Sequence, residues 1–278
     1  MGFARVSQLP ARAHGAKVNP LEAYLAFARE LADTARAMTR CALAAGLKAE
    51  LKPDRSYVTA LDRDIERALR EAIAQTYPAH GVLGEEFGAT RAQAEYQWLL
   101  DPVDGTDNLA HGTPTFGTII GLHRAGVPQV AIIDHPALDL RYSAARGQGT
   151  YCNDKRVHID DFAHVTGGED IVITTAPENF AKTGDLPVLT RLQEAFPNTR
   201  VYRDCFAHTR VAQGSAAAMV EFNVQAWDMA AAPLLVQEAG GVYREIAWPR
   251  RAGLGYYHAV FGRADAVAAL CRIIEAPV

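Results

Sequence analysis

Three aspartates lie between residues 101 and 107, directly after a short apolar run. The run, Trp98 to Leu100, is typical of the end of a buried strand. We expect the strand to end there, because Pro102 lacks the N–H group that a sheet ladder needs. Carboxylates this close repel one another, and they are costly to gather at the end of an apolar strand unless a cation lies between them. A hard divalent cation, which prefers carboxylate, carbonyl and water oxygens, would neutralise Asp101, Asp104 and their neighbours.

The residues between and after the first two aspartates suit a metal cluster. A turn there would let the two carboxylates converge, with the carbonyl oxygen of Val103 as a possible third ligand. Gly105 and Thr106 follow, where a turn or helix start would point backbone N–H groups outwards and bind an anion. A metal cluster beside an anion site, with a hydroxyl at its edge, can hydrolyse a phosphate ester. The alternative is an ordinary polar turn, since Asp-Gly pairs are common in turns, and this stretch by itself leaves both interpretations open.

Acidic residues also occur where two other predicted elements meet a loop. Glu85 and Glu86 follow the apolar run 81–84, and a pair of acids at the end of a buried strand is a candidate for metal ligation or simply surface charge. Asp228 lies at the start of a predicted helix, where an aspartate is most often an N-cap. The other interpretation is that Asp228 returns across the fold to complete the metal cluster.

The elements that must position these residues alternate loosely along the chain. Periodicity and turn residues predict helices over 21–45, 62–77, 186–196, 206–214 and 228–239, and strands over 57–60, 81–84, 115–123, 128–134, 141–145, 171–174 and 217–221. Since the order is mixed rather than a strict βαβ repeat, we expect an α/β architecture of alternating helix and sheet layers. We predict a flexible arm over 1–20, an N-terminal lobe over 21–155 that carries the main metal motifs, and a C-terminal lobe over 156–278.

Composition limits the classes of partner. The chain has 278 residues, of which 49% are hydrophobic and 22% charged, so it can bury a large core. A formal net charge of −4 gives no electrostatic reason to expect nucleic acid or a membrane as a partner. The four cysteines are scattered, which predicts buried thiols rather than disulfides or a zinc site. The first 20 residues lack the apolar core of a secretory signal, so we expect a cytoplasmic protein.

Five short blocks, in this order, resemble the inositol monophosphatase family. The resemblance runs from about residue 21 to 241, and the blocks that carry it are Val58-Thr59-Ala60-Leu61-Asp62, Gly84-Glu85-Glu86, Asp101-Pro102-Val103-Asp104-Gly105-Thr106, Trp227-Asp228 and Glu238-Ala239-Gly240-Gly241. The resemblance implies a five-layer αβαβα sandwich of the inositol monophosphatase and fructose bisphosphatase type. It also implies a Mg²⁺-dependent phosphomonoesterase that acts on a small phosphate ester, forms a homodimer and is inhibited by lithium.

The same resemblance assigns roles to individual residues. It implies that two or three Mg²⁺ ions are held by Glu85, Asp101, Asp104, Asp228 and the carbonyl of Val103. It implies that Thr106 and Asp62 together orient and deprotonate a metal-bound water, with Glu85 beside them. The N–H groups of Gly105 and Thr106 would bind the phosphate.

The substrate is less constrained by these motifs. Arg203-Asp204-Cys205-Phe206-Ala207 resembles the histidinol-phosphatase branch, and Asp204 would suit a substrate that bears an ammonium group and an imidazole. It could equally pair with a structural arginine. Glu221 matches the residue with which the family accepts a substrate hydroxyl, so inositol monophosphate is the second candidate. A sugar bisphosphate, a nucleotide, or a regulatory role that keeps only the fold are further alternatives.

Three positions depart from the family pattern. Ala217 stands where an acid is frequent, although the preceding turn glycine is retained as Gly214. Leu109 replaces an aromatic residue after the central motif, which changes packing only. The segment 243–258 lacks the usual Asp-Gly turn and contains Trp248-Pro249-Arg250-Arg251, so the pocket edge there is undetermined.

Overall fold

The computed structural model describes residues 19–46, 49–51, 57–162, 170–246 and 257–276. Within these ranges the helices are α1 (Pro20–Ala45), α2 (Ala60–Thr76), α3 (Thr106–Ala110), α4 (Pro177–Thr183), α5 (Leu186–Ala195), α6 (Asp204–Ala212), α7 (Ala232–Glu238) and α8 (Ala264–Glu275). The strands are β1 (Ala49–Leu51), β2 (Tyr57–Thr59), β3 (Gly81–Gly84), β4 (Gly88–Thr90), β5 (Tyr96–Asp104), β6 (Gly117–Arg124), β7 (Val127–His135), β8 (Leu140–Ala145), β9 (Thr150–Cys152), β10 (Lys155–Val157), β11 (Val172–Thr174), β12 (Thr199–Arg200), β13 (Ala218–Val224), β14 (Val242–Glu245) and β15 (Tyr257–Gly262). None of the helices in the described ranges has both the length and the apolar character needed to cross a membrane.

Two sheets and three helix layers form an α+β layered fold, which confirms the predicted five-layer αβαβα sandwich. The larger sheet has eight strands in the order β10-β9-β8-β7-β6-β5-β3-β4, and the smaller has five in the order β12-β11-β13-β15-β14. Helices α1 and α2 cover the outer face of the larger sheet, α6 and α7 lie between the sheets, and α4, α5 and α8 cover the outer face of the smaller sheet.

The strands of the larger sheet are apolar on both faces because both faces are covered. In β6, Ile120 packs towards α1 and α2, whereas the adjacent Ile119 packs into the core between the sheets. Trp98 and Leu99 divide in the same way in β5. Alternate residues of a strand point to opposite faces, so these continuous apolar runs signify burial on both sides.

The prediction that the strand before the aspartates ends at Leu100 is wrong. Strand β5 continues to Asp104, and its pairing with β6 shifts between Asp101 and Asp104, so that one extra residue is accommodated there. Pro102 lies in this bulge, where it is not required to donate to the ladder. Its carbonyl instead accepts a hydrogen bond of 2.8 Å from the hydroxyl of Thr118.

Asp228 is not the N-terminal residue of a helix, so the predicted helix over 228–239 is too long at its start. Residues 226–229 form a turn, and α7 begins only at Ala232, with Pro233 in its first turn. The carboxylate of Asp228 accepts the backbone N–H of Gln225 at 2.7 Å. Asp228 therefore stabilises a turn instead of capping a helix. The start of α6 also differs from the prediction, because this helix begins at Asp204, two residues before the predicted start at residue 206.

The division into lobes at residue 155 stays a prediction, as does the arm over 1–20. Residues 1–18 and the block Trp248-Pro249-Arg250-Arg251 lie outside the described residues. The larger sheet ends at Val157 and the smaller sheet begins at Val172. The two sheets are thus built from successive parts of the chain.

Candidate metal centre and active site

The bulge at the end of β5 presents two carboxylates and one carbonyl to the same cavity. Asp101 is almost completely buried, and one of its oxygens accepts the N–H of Val103 at 3.1 Å. This bond bends the backbone between the two aspartates. Asp101, Val103 and Asp104 all line a cavity of about 380 Å³, as the sequence predicted for these three positions. Their convergence comes from the extra residue in the strand.

Asp228 reaches the same cavity from the turn that follows β13 of the smaller sheet. Carboxylate oxygens of Asp101, Asp104 and Asp228 all lie within 4.8 Å of one another. The interpretation of Asp228 as part of the acidic cluster thus agrees with the structure, and the N-cap alternative does not.

The electrostatics of the cluster are those of a cation site. Removal from water, followed by repulsion from Glu85, Asp104 and Asp228, raises the pKa of Asp101 well above its usual range. Removal from water, reinforced by Asp204 and Asp228, does the same to the pKa of Asp104. Burial also raises the pKa of Asp228 to about 8, although the Gln225 N–H bond opposes this shift. Three mutually destabilised carboxylates form an all-oxygen donor set, and this set fits a hard divalent cation.

Glu85 lies on the wall of this cavity, outside the three-carboxylate cluster. It follows β3, and its backbone N–H contacts the carbonyl of Leu100 at 3.3 Å, which holds it beside β5. The parallel pairing of β3 with β5 therefore brings Glu85 next to Asp101. The neighbouring Glu86 is not among the residues that line the cavity, and its backbone N–H donates to Glu66 at 2.7 Å.

Thr106 and Asp62 form the direct contact that the family resemblance implies. The Thr106 hydroxyl lies 3.0 Å from one carboxylate oxygen of Asp62 and 2.9 Å from the carbonyl of Val103. Asp62 lies in the first turn of α2 and is almost completely buried. A hydroxyl has one proton and two lone pairs, so while it donates to Asp62 it can still accept a hydrogen bond on its cavity side.

Gly105 begins α3 with φ = 81°, a conformation that glycine adopts without strain. A Cβ atom at this position would lie 2.8 Å from a carboxylate oxygen of Asp204. The same oxygen of Asp204 accepts a hydrogen bond of 2.8 Å from the Asn108 side chain. Asp204 therefore packs directly over the turn that carries the predicted phosphate-binding N–H groups.

Asp204 belongs to the cavity wall and contacts the metal cluster through its neighbour in sequence. The backbone N–H of Cys205 donates to the carboxylate of Asp104. Burial raises the pKa of Asp204 to about 6, while the nearby Arg203 guanidinium opposes the shift. Among the described residues, neither Arg203 nor Arg210 donates a hydrogen bond to Asp204. Arg203 instead lies 3.3 Å from Glu178 and 3.9 Å from Asp107, which also line the cavity.

Glu221 is placed differently from the sequence-based expectation. It is nearly fully buried, and one of its oxygens lies 2.9 Å from Nε2 of His208, which is equally buried. It is absent from the residues that line the cavity. His208 was not among the predicted site residues. It lies four residues after Asp204, a spacing that places the two side chains on one face of a helix. Glu178, which pairs with Arg203, belongs to no sequence motif that would have predicted its place on the cavity wall.

The comparisons with known proteins agree with this geometry. A model of the inositol monophosphatase family matches residues 21–264. A histidinol-phosphatase of Mycobacterium tuberculosis is 34% identical over 223 residues, which cover 78% of this chain and 85% of that protein. An inositol-1-monophosphatase of Rhizobium meliloti is 33% identical over 200 residues, with coverages of 70% and 74%. The crystal structure of the extragenic suppressor protein suhB from Bartonella henselae matches with a TM-score of 0.79 and 25% identity, covering 92% of this chain and 100% of that one.

Proposed function

This chain belongs to the inositol monophosphatase family and is a phosphoric monoester hydrolase, and we propose that it hydrolyses histidinol phosphate with two or three Mg²⁺ ions as cofactor. The observation that carries the choice of substrate is Asp204. It is an acidic side chain in the cavity wall beside the predicted phosphate-binding turn, and among the described residues it accepts from Asn108, while the nearby Arg203 forms its direct ion pairs with Glu178 and Asp107.

The carboxylates of Asp101, Asp104, Asp228 and Glu85, with the carbonyl of Val103, would hold the metal ions. The buried, mutually repelling carboxylates of the cluster supply the negative charge that such ions require. When bound, Mg²⁺ lowers the pKa of the attacking water and offsets the negative charge of the phosphate and of the departing alkoxide.

Thr106 and Asp62 would move the proton of the attacking water. The Thr106 hydroxyl accepts a hydrogen bond from the water and donates its own proton to Asp62, 3.0 Å away. Asp62 is almost completely buried, so bulk water does not compete for this contact. The pair thus orients the water and provides a base for its proton.

The turn at Gly105 would orient the phosphate, and Asp204, beside that turn, would bind the ammonium group on the neighbouring carbon of the substrate. A carboxylate in the wall forms a charge-assisted hydrogen bond with an ammonium group. A substrate that lacks this group would leave Asp204 without its partner, which disfavours the substrate strongly.

Inositol phosphate fits this chain less well. The family residue for a substrate hydroxyl corresponds to Glu221, and here one oxygen of Glu221 is engaged by His208 behind the cavity wall. A sugar bisphosphate would require a basic site for its second phosphate. Arg203 lines the cavity but contacts two acids, and Arg210 lies against Phe206 and Tyr142.

The experiment compares phosphate release from histidinol phosphate and inositol 1-phosphate in the presence of Mg²⁺. We expect a strong preference for histidinol phosphate, and we expect Asp204→Asn to lower it mainly by raising KM for that substrate. Asp107→Asn is the matched control, because Asp107 is a half-exposed carboxylate on the same cavity. Asp104→Asn provides the blank. Equal use of both substrates, or an Asp204→Asn variant with unchanged selectivity, would refute the substrate assignment and leave the phosphatase chemistry intact.

Two further expectations from the resemblance remain proposals, a homodimer and inhibition by lithium, and so does the cytoplasmic location expected from the sequence of the first 20 residues. We also keep the proposal that the partners are small phosphate esters, with neither nucleic acid nor a membrane involved. Sedimentation analysis and a lithium titration at fixed Mg²⁺ would test the first two directly.

A further inference from the structure

The turn that carries Asp228 is fixed to the larger sheet by a histidine. Nε2 of His123, in β6, lies 2.9 Å from the carbonyl oxygen of Ala230, two residues after Asp228. A carbonyl oxygen can only accept, so Nε2 carries the proton and donates it. Within the described parts of the chain no other hydrogen-bond donor reaches this oxygen, and Ala230 is completely buried.

The sheet also contacts the turn at a second point on the same strand face. Gly121 lies two residues before His123, so both point to the same side of β6. A Cβ atom at Gly121 would lie 2.4 Å from the carbonyl oxygen of Ala230. The backbone of the strand thus rests directly on the backbone of the turn, and the imidazole of His123 fixes the direction of the Ala230 carbonyl.

The contact adds a directional hydrogen bond to the apolar packing of this segment, in which Met229, Ala230 and Ala231 are buried in the core between the sheets. Asp228 lies in a turn and not in a helix or strand, and the bond that its carboxylate accepts from Gln225 is local to that turn. Asp101 and Asp104, by contrast, belong to a strand of the larger sheet. For the three carboxylates to keep within 4.8 Å, the turn must be held in register with that sheet.

We propose that His123 is a positioning residue for the metal site: it holds the Asp228 turn against the larger sheet and thereby sets the Mg²⁺ affinity. The inference rests on the proposed Mg²⁺ site, but its effect on the turn is independent of the metal. Burial lowers the pKa of His123, which is consistent with a neutral imidazole that donates from Nε2.

The test uses His123→Leu, which removes the donor, and His123→Gln, whose side-chain amide restores one. Thr150→Val is the matched control, because Thr150 donates from the same sheet to the carbonyl of Leu235, at 2.6 Å, away from Asp228. Calorimetric titration with Mg²⁺ measures the affinity, and amide hydrogen exchange without metal measures the opening of residues 225–231.

We expect His123→Leu to weaken Mg²⁺ binding roughly tenfold, the lower end of the range for residues that orient a metal ligand. In the same variant the amide hydrogens of residues 225–231 should exchange faster. His123→Gln should recover most of the Mg²⁺ affinity and most of the protection from exchange, and Thr150→Val should change neither quantity. Unaltered exchange, or faster exchange with wild-type Mg²⁺ affinity, would overturn the inference. If the wild-type protein itself binds no Mg²⁺, both this inference and the proposed metal site fail.

Discussion

Removing the Thr106 hydroxyl should abolish most of the activity while leaving the fold intact. Thr106→Val keeps the volume of the side chain but removes the group that contacts Asp62 at 3.0 Å and Val103 at 2.9 Å. General-base catalysis contributes about 100- to 10,000-fold to a rate, so kcat should fall by that factor. This corresponds to roughly 3–5 kcal/mol in the activation barrier.

The cost in stability should be much smaller than the cost in activation energy. One lost hydrogen bond lowers the free energy of unfolding by about 1 kcal/mol, against a total of roughly 5–15 kcal/mol for a typical domain. Urea unfolding should therefore show a folded variant with a slightly lower midpoint. Thr106→Ser is the control, because it retains the hydroxyl and should retain most of the activity.

A double-mutant cycle separates a shared proton path from two independent effects. If Thr106 and Asp62 act as one unit, Asp62→Asn combined with Thr106→Val should be no slower than the slower single variant. The assay is kcat for phosphate release at saturating substrate and Mg²⁺. The proton path would be refuted if the two single losses in kcat multiplied in the double variant. It would also be refuted if Thr106→Val kept more than about a tenth of kcat.

Two other perturbations test the surroundings of the site. Gly105→Ala should destabilise the protein by about 1–2 kcal/mol because its φ is 81°, and it should lower activity further because the new Cβ approaches Asp204 at 2.8 Å. Thermal unfolding and phosphate release measure the two effects, and an unchanged variant would contradict the strained geometry. Burial lowers the pKa of His135 to about 4, below the 6.5 of the unfolded chain. The unfolded state therefore binds a proton first, so stability should fall as pH drops from 6.5 to 4, by up to about 3 kcal/mol. His135→Gln should flatten that part of the pH profile in urea unfolding, and an unchanged profile would exclude this histidine as the cause.

The apolar runs and the acidic blocks could be read from the sequence because their physics is local. A run such as 98–100 is typical of a buried strand, and closely spaced aspartates favour either a cation site or a polar turn. The layer order depended on the resemblance to a family, since periodicity alone predicts helices and strands but not which faces they share.

The errors occurred where a particular contact in the fold overrode a local rule. Pro102 normally ends a strand, but a bulge against β6 removes the need for its N–H. Asp228 has the position of an N-cap in sequence, yet its carboxylate closes a turn with Gln225 instead. The role of Glu221 as a substrate residue stays a prediction, and in the structure His208 pairs with it in the core. The strand opposite the Pro102 bulge is distant in sequence, whereas Gln225 is only three residues from Asp228, and neither contact follows from the strand and helix patterns.

The division of the acidic cluster between two sheets has a consequence for folding. Asp101 and Asp104 belong to the larger sheet, whereas Asp228 follows a strand of the smaller one, far away along the chain. Bringing Asp228 to Asp101 and Asp104 closes a long loop, which costs conformational entropy. Only contacts between parts of the chain that are distant in sequence offset this cost, and such contacts form late. Either sheet could thus form its strands before any complete active site exists. During refolding, activity should return after the circular dichroism signal of the helices and strands, when the two sheets have docked on the shared helix layer.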